Sequence, residues 1–145
     1  MRHASHIASG IAVLGFLLAS QRLPADEVAV VPAKSTVTTL SRTQVADIFL
    51  GKTTRFPDGS QAVPIDQSEG TSARDEFYNA VAGKSAAQMK AYWSKIIFTG
   101  RGQPPRAVPN GNEAKKVIAA NLNTIGYIDS KLVDDTLRVV LVTQH

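Results

Sequence analysis

The chain has 145 residues, a formal net charge of +4, 43% hydrophobic residues and no cysteine. That length provides one domain's worth of chain and a single modest core. The missing thiols exclude disulfides, thiol catalysis, cysteine metal sites and a lipid-anchored N-terminus.

The first segment reads as separate from the domain. Met1-Arg2-His3 is a short basic start, and Ile7 to Ala19 is an uncharged apolar run. Such a run has the length of a signal-peptide core and is short for a bilayer span. Leu23-Pro24-Ala25 puts a small residue at −1, although Leu at −3 departs from A-x-A. Residues 1–25 are therefore read as a Sec-type signal and residues 26–145 as a periplasmic domain. The alternative is an uncleaved anchor, the only membrane contact expected. An exported chain without disulfides is ordinary in a bacterial periplasm.

Val28 to Val31 predicts a short apolar strand. Pro32 to Thr39 is a polar connection, and Leu40-Ser41-Arg42-Thr43-Gln44 has the order of staple, cap and capping-box Gln. The helix it starts places Val45, Ile48 and Phe49 on one face and stops at Gly51. Phe56-Pro57-Asp58-Gly59 signals a turn before an Ala62–Ile65 strand. A second helix carries Phe77, Tyr78 and Val81 inward and ends near Gly83. Ser85 caps a third, in which Met89, Tyr92, Trp93, Ile96 and Ile97 form a core stripe. Gly100 to Pro109 reads as a loop, Glu113 to Asn121 as a fourth helix with Ala114, Val117 and Ile118 inward. Gly126–Ile128 and Leu137–Val142 close the chain as strands. Strands alternating with helices predict a small α/β domain with a mixed or largely parallel sheet.

The segment from Asp66 to Phe77 (DQSEGTSARDEF) carries the clearest chemistry. A strand end, a Gly-containing turn with hydroxyls and a helix start together aim unpaired N–H groups at one point. The positive end of the helix dipole lies there too, so an anion can be held without a metal. The plain structural reading is that a Ser or Thr at a helix start is an N-cap. Lys84 to Lys116 holds seven Lys or Arg against Glu113 alone. This block suits anions or acidic surfaces, or is a solvated face spread over two helices. Nucleic acid is not an expected partner of a chain read as exported. An enzyme is not expected either: past residue 25 the one histidine is His145. Asp75-Glu76 and Asp134-Asp135 are adjacent pairs with no hydrolase geometry. No cofactor is implied.

Three motifs in order resemble phosphate ABC-transporter substrate-binding proteins. Leu40-Ser41…Val45-Ala46-Asp47-Ile48-Phe49-Leu50-Gly51-Lys52 is similar to their L-S-x-x-x-L-x-x-I-F-x-G-K. Glu69-Gly70-Thr71-Ser72-Ala73-Arg74-Asp75-Glu76-Phe77 is similar to E-G-S-G-T-R-E-A-F. Asn123-Thr124-Ile125-Gly126-Tyr127-Ile128 is similar to x-G-A-I-G-Y-V. The match runs from Leu40 to about Val142, and Ala91–Pro105 resembles a short, single-lobed branch. The resemblance implies a small single-lobe periplasmic-binding-protein-like α/β domain, with a mixed sheet and about four helices. It also implies that Ser68, Gly70, Thr71, Ser72 and Arg74 bind a small oxyanion such as phosphate, with an ABC permease as partner. The family's Ser, Gly and Thr correspond to Thr71, Ser72 and Ala73, and its preceding Arg to Gln67, so one hydroxyl is kept, one is moved to the Gly position, and the Thr hydroxyl and the cation are gone from their places. Arg74 stands in the first turn, where it can point outward, and Arg101 or Arg106 is a candidate clamp from a flexible loop. The alternative function is an envelope interaction module that keeps the fold and binds no small ligand.

Overall fold

A computed structural model describes residues 26–143; the expected signal segment and His145 lie outside the described residues. The first strand, β1 (Glu27–Pro32), is buried along its whole length. Side chains alternate across a strand, so Ala29 and Val31 enter one hydrophobic core while Val28 and Val30 enter another. A strand covered on both faces needs a near-continuous apolar sequence, which explains Val28-Ala29-Val30-Val31.

Helix α1 (Arg42–Phe49) begins at a closed capping box. The Gln44 N–H donates to Ser41 Oγ at 3.1 Å, and the Ser41 N–H donates to Gln44 Oε1 at 2.8 Å. Strand β2 (Val63–Gln67) leads through a short turn into α2 (Ser72–Ala82), which stops at the left-handed Gly83. Helix α3 (Ala86–Phe98) opens with a second capping box, Ser85 and Gln88. Strand β3 (Arg106–Val108), helix α4 (Gly111–Ala120), strand β4 (Thr124–Asp129), a 3-10 turn (Ser130–Leu132) and β5 (Leu137–Val142) follow.

The sheet order is β3-β2-β4-β1-β5. Strand β2 runs parallel to β3 and β4, whereas β1 is antiparallel to β4 and β5. The expected small α/β domain with a mixed sheet and four helices is what forms. Helices α1, α2 and α3 cover one face, around Phe49, Phe77, Met89 and Trp93. Helix α4 covers the other through Ala114 and Ile118. Gly126 permits that close approach: a Cβ there would lie 2.4 Å from Ile118 Cδ1.

Several boundaries differ from the sequence expectation. Strand β2 extends two residues beyond Ile65, so Asp66 and Gln67 are buried strand residues rather than turn. The Gly100–Pro109 loop contains β3, three residues held by parallel pairing with Ile65, Asp66 and Gln67. Helix α4 starts at Gly111, because Asn110 caps it by accepting from the Glu113 N–H at 3.0 Å. Trp93 is 6% exposed, as its helical stripe implies, but Ile97 is 54% exposed and Phe98, one residue on, is 92% exposed. In the last turn of α3, Ile96 still packs against the core, while Ile97 and Phe98 turn away from it.

Candidate functional site

In an open α/β sheet, ligands sit outside the carboxyl ends of parallel strands. The carboxyl end of β2 meets the N-terminus of α2 at Ser68–Thr71, so the topology puts the turn where such a site is expected. Gly70 has a φ of +91°, a left-handed conformation that glycine adopts without steric cost.

The inner side of this turn is a buried polar cluster centred on Asp66, which is 1% exposed. Tyr127 Oη donates to its Oδ1 at 2.5 Å and Tyr78 Oη to its Oδ2 at 2.5 Å. The Gln67 N–H donates to Oδ1 at 2.8 Å, and Gln67 Nε2 donates to the Tyr127 carbonyl at 2.8 Å. Burial foremost, then the adjacent Asp66 charge, pushes both phenols well above their ordinary pKa, so they stay protonated donors. Phe77 stacks on Tyr127 with ring centroids 3.9 Å apart. The cluster joins β2, α2 and β4.

Arg74 points inward, not outward. Its Nη1 donates to the Gln67 carbonyl at 3.2 Å, lies 3.8 Å from Asp66 Oδ2, and the guanidinium sits 5.5 Å from the Tyr78 ring centroid. The guanidinium thus caps the cluster from above, and 15% of the side chain stays exposed.

The hydroxyls of the turn divide by use. Thr71 is the N-cap of α2: Oγ1 accepts from the Arg74 N–H at 3.4 Å and donates to the Ser68 carbonyl at 2.9 Å. Ser68 Oγ donates to the Val108 carbonyl at 3.2 Å, tying the turn to β3. Ser72 is exposed, and among the described residues its hydroxyl has no protein partner. The backbone N–H groups of Glu69, Gly70, Ser72 and Ala73 likewise have none, while those of Thr71, Arg74 and Asp75 are used within the turn. Unused donors at the positive end of an eleven-residue helix can accept an anion.

Beside the turn lies a cavity of about 430 Å³, bounded by Ser68, Glu69 and Arg74 on one wall and by α3 on the other. Lys90 lines it, a cation that sequence reasoning had counted only as part of the basic block. Neither Arg101 nor Arg106 does. Alternation along β3 sends Ala107 toward this cavity and Arg106 to the opposite face, beside Val117 and Asn123. The rest of the basic block is scattered. Lys84 sits over the Tyr92 ring, Lys115 pairs with Asp134 at 2.7 Å and Lys116 with Glu113 at 3.3 Å. The Asp134 carboxyl is held down to a pKa of about 2 by Lys115 and by Thr136, a turn-stabilising role. Among the described residues no group of three His, Cys, Asp or Glu could hold a metal, and no helix is long and apolar enough to cross a membrane.

No protein-family model matches the chain, and no curated protein matches it significantly. Solved structures do. One is a protein described as a phosphate ABC transporter substrate-binding protein with bound phosphate, from Clostridium perfringens: 24% identical, TM-score 0.62, covering 79% of this chain and 44% of its own. Another is an ABC-type phosphate transport receptor from Vibrio cholerae, 18% identical with TM-score 0.62, covering 79% and 45%. A third is PstS from Borrelia burgdorferi, 12% identical with TM-score 0.59, covering 80% and 46%. This chain spans less than half the length of each. The likeness at these identities is one of fold: the domain has the fold of a portion of these substrate-binding proteins.

Proposed function

We propose that this chain is an exported solute-binding protein that holds a small oxyanion, phosphate foremost, at the Ser68–Arg74 turn, without catalysing a reaction. The observation that carries the reading is the set of unused N–H donors of Glu69, Gly70, Ser72 and Ala73 at the head of α2. The free Ser72 hydroxyl is the donor nearest in kind to the resemblance. Arg74 contributes its charge from beneath, since its guanidinium is already bonded to Gln67 and Asp66. The similarity of fold to a structure with bound phosphate supports the choice of ligand. ABC-type uptake, with a permease as partner, is proposed on the same ground.

Calorimetry with phosphate and sulfate tests the site, and Ser72→Pro sharpens it. Ser72 is the first residue of α2, where proline is favoured, and Thr71 before it has the extended backbone that proline requires (φ −85°, ψ 144°). The variant removes one N–H and one hydroxyl without breaking the helix. The reading expects heat from at least one oxyanion and its marked loss in Ser72→Pro; no heat from any of them overturns it. For export, the signal pattern of residues 1–25 supports a mature protein beginning near Asp26 in the periplasm. An intact mass matching the full chain in the soluble fraction would count against that.

One observation favours the second reading, a module that docks an envelope protein. Phe98 is 92% exposed and Ile97 54% exposed, side by side at the end of α3. Under that reading the turn is only a helix cap, and no oxyanion gives heat.

A further inference from the structure

Between Glu76 and Glu113 the chain carries Lys84, Lys90, Lys95, Arg101 and Arg106 and not one acidic side chain. Helix α3 and the turn after it lie inside that stretch. The helix buries Met89 and Trp93, so helical periodicity fixes what points outward. Ala87, Ala91, Ser94 and Phe98 run down the middle of the outer face, with Lys90 and Lys95 along its two margins, and all six are exposed. Gly100 ends the helix in a left-handed conformation, and the Arg101 N–H donates back to the Ile96 carbonyl at 3.0 Å. Arg101 is thereby held beside the last turn. None of Lys90, Lys95 and Arg101 has an ion pair among the described residues.

Phe98 supplies the second observation. At 92% exposure its ring touches almost nothing of its own chain, and Ile97 beside it is 54% exposed. A lone apolar side chain at a surface needs no explanation. A phenyl ring standing free among three unpaired cations, on a helix without a single acid, is a pattern with a use.

We propose that this outer face of α3 rests on an anionic phospholipid surface. Phe98, with Ile97 at its side, enters the boundary between headgroups and acyl chains, and Lys90, Lys95 and Arg101 meet the lipid phosphates. Charge complementarity selects this occupant. A two-fold contact with a second copy would set these three cations against their own counterparts, with no carboxylate on α3 to offset them. A protein partner, the occupant under the second reading above, needs an apolar interface core. Apart from Ile97 and Phe98, the middle of this face offers only Ala87, Ala91 and Ser94. A bilayer asks for less, because one or two inserted side chains and a few cations give reversible attachment. The contact is distinct from the N-terminal anchor considered above, and it does not depend on the oxyanion reading of the turn.

The test uses residues 26–145, the expected exported form, so that the Ile7–Ala19 run contributes nothing; the strands and helices described all lie between Glu27 and Val142. The probes are vesicles of phosphatidylcholine alone, and of phosphatidylcholine and phosphatidylglycerol in equal parts, read by cosedimentation. The chain is expected to sediment with the mixed vesicles, to ignore the neutral ones and to be released at high salt. Phe98→Ser is expected to weaken this binding about tenfold. Lys95→Gln and Arg101→Gln should each weaken it about fivefold. Melting temperatures should stay unchanged, because all three side chains are exposed. No sedimentation with the mixed vesicles would overturn the proposal. Equal binding to neutral vesicles would overturn the role of the cations, and unchanged binding of Phe98→Ser the insertion of the ring. A dimer in solution that Phe98→Ser returns to monomer, or a cross-link from position 98 to an envelope protein without lipid binding, would overturn it in favour of a protein contact. Calorimetry with oxyanions is read separately, so failure here leaves the turn site standing.

Discussion

The two sides of the Ser68–Arg74 turn differ in how their polar groups are used. On the inner side, Asp66 accepts from Tyr78, Tyr127 and the Gln67 N–H, and Arg74 seals the cluster. On the outer side, four backbone N–H groups and the Ser72 hydroxyl have no protein partner. A buried polar network that is fully bonded makes a rigid support, and donors left open on a rigid support are pre-organised for a ligand. The contrast separates residues that build the turn from residues available to bind, and it predicts that stability and binding respond to different substitutions.

The largest stability effect belongs to the inner side. Asp66→Ala would leave two buried phenols without their acceptor and the Arg74 guanidinium without its neighbouring charge, a loss of about 3–5 kcal/mol by urea denaturation. A loss under about 1 kcal/mol would mean that the cluster does not support the turn.

A second buried acid sharpens the point. Glu27 is 4% exposed, and one of its carboxyl oxygens has no partner among the described residues. Burial, then the Asp129 and Glu76 charges, raises its pKa from 4.5 to about 8. The folded state therefore holds a proton that the unfolded state releases above pH 4.5. Stability is full below that pH, falls as the pH rises to about 8, and then levels off. In Glu27→Gln this fall should disappear, as read from denaturation midpoints across the range; an unchanged profile would contradict the assignment.

Arg74 touches both sides and comes next. Its first-turn position suggested an outward side chain, whereas its hydrogen bond to Gln67 and proximity to Asp66 predict that Arg74→Ala costs about 1–2 kcal/mol. It should weaken oxyanion binding as well. Thr71→Ala removes the cap of α2, for about 1 kcal/mol, with little change in binding because that hydroxyl is already bonded on both counts. The smallest stability effect is that of Ser72→Pro, within about 0.5 kcal/mol, combined with lost oxyanion affinity. Thermal melts and calorimetry on the three variants rank them; equal effects of all three on both readouts would erase the distinction between the sides.

Much of this architecture was legible because its signals are local. Ser41 with Gln44, Gly83 and Ser85 each act within one helical turn, and each lies where its residue type predicts. The Asp66 cluster was not legible. Its partners stand 12 and 61 residues away, and Tyr78 sits on an apolar stripe that reads equally well as ordinary core. Strand β3 was hidden for a similar reason: three residues after a Gly/Pro loop carry no periodicity, and only pairing with β2 makes them a strand. Lys90 is one lysine among several, and only the packing of α3 against the turn separates it from the rest.

The most direct test of the central claim is an amide NMR titration of the full chain with inorganic phosphate. The account predicts shifts concentrated at the N–H groups of Glu69, Gly70, Ser72 and Ala73, with those of Thr71, Arg74 and Asp75 moving less. An unchanged spectrum, or shifts confined to the scattered lysines of α3 and α4, would show that the turn is a helix cap and nothing more.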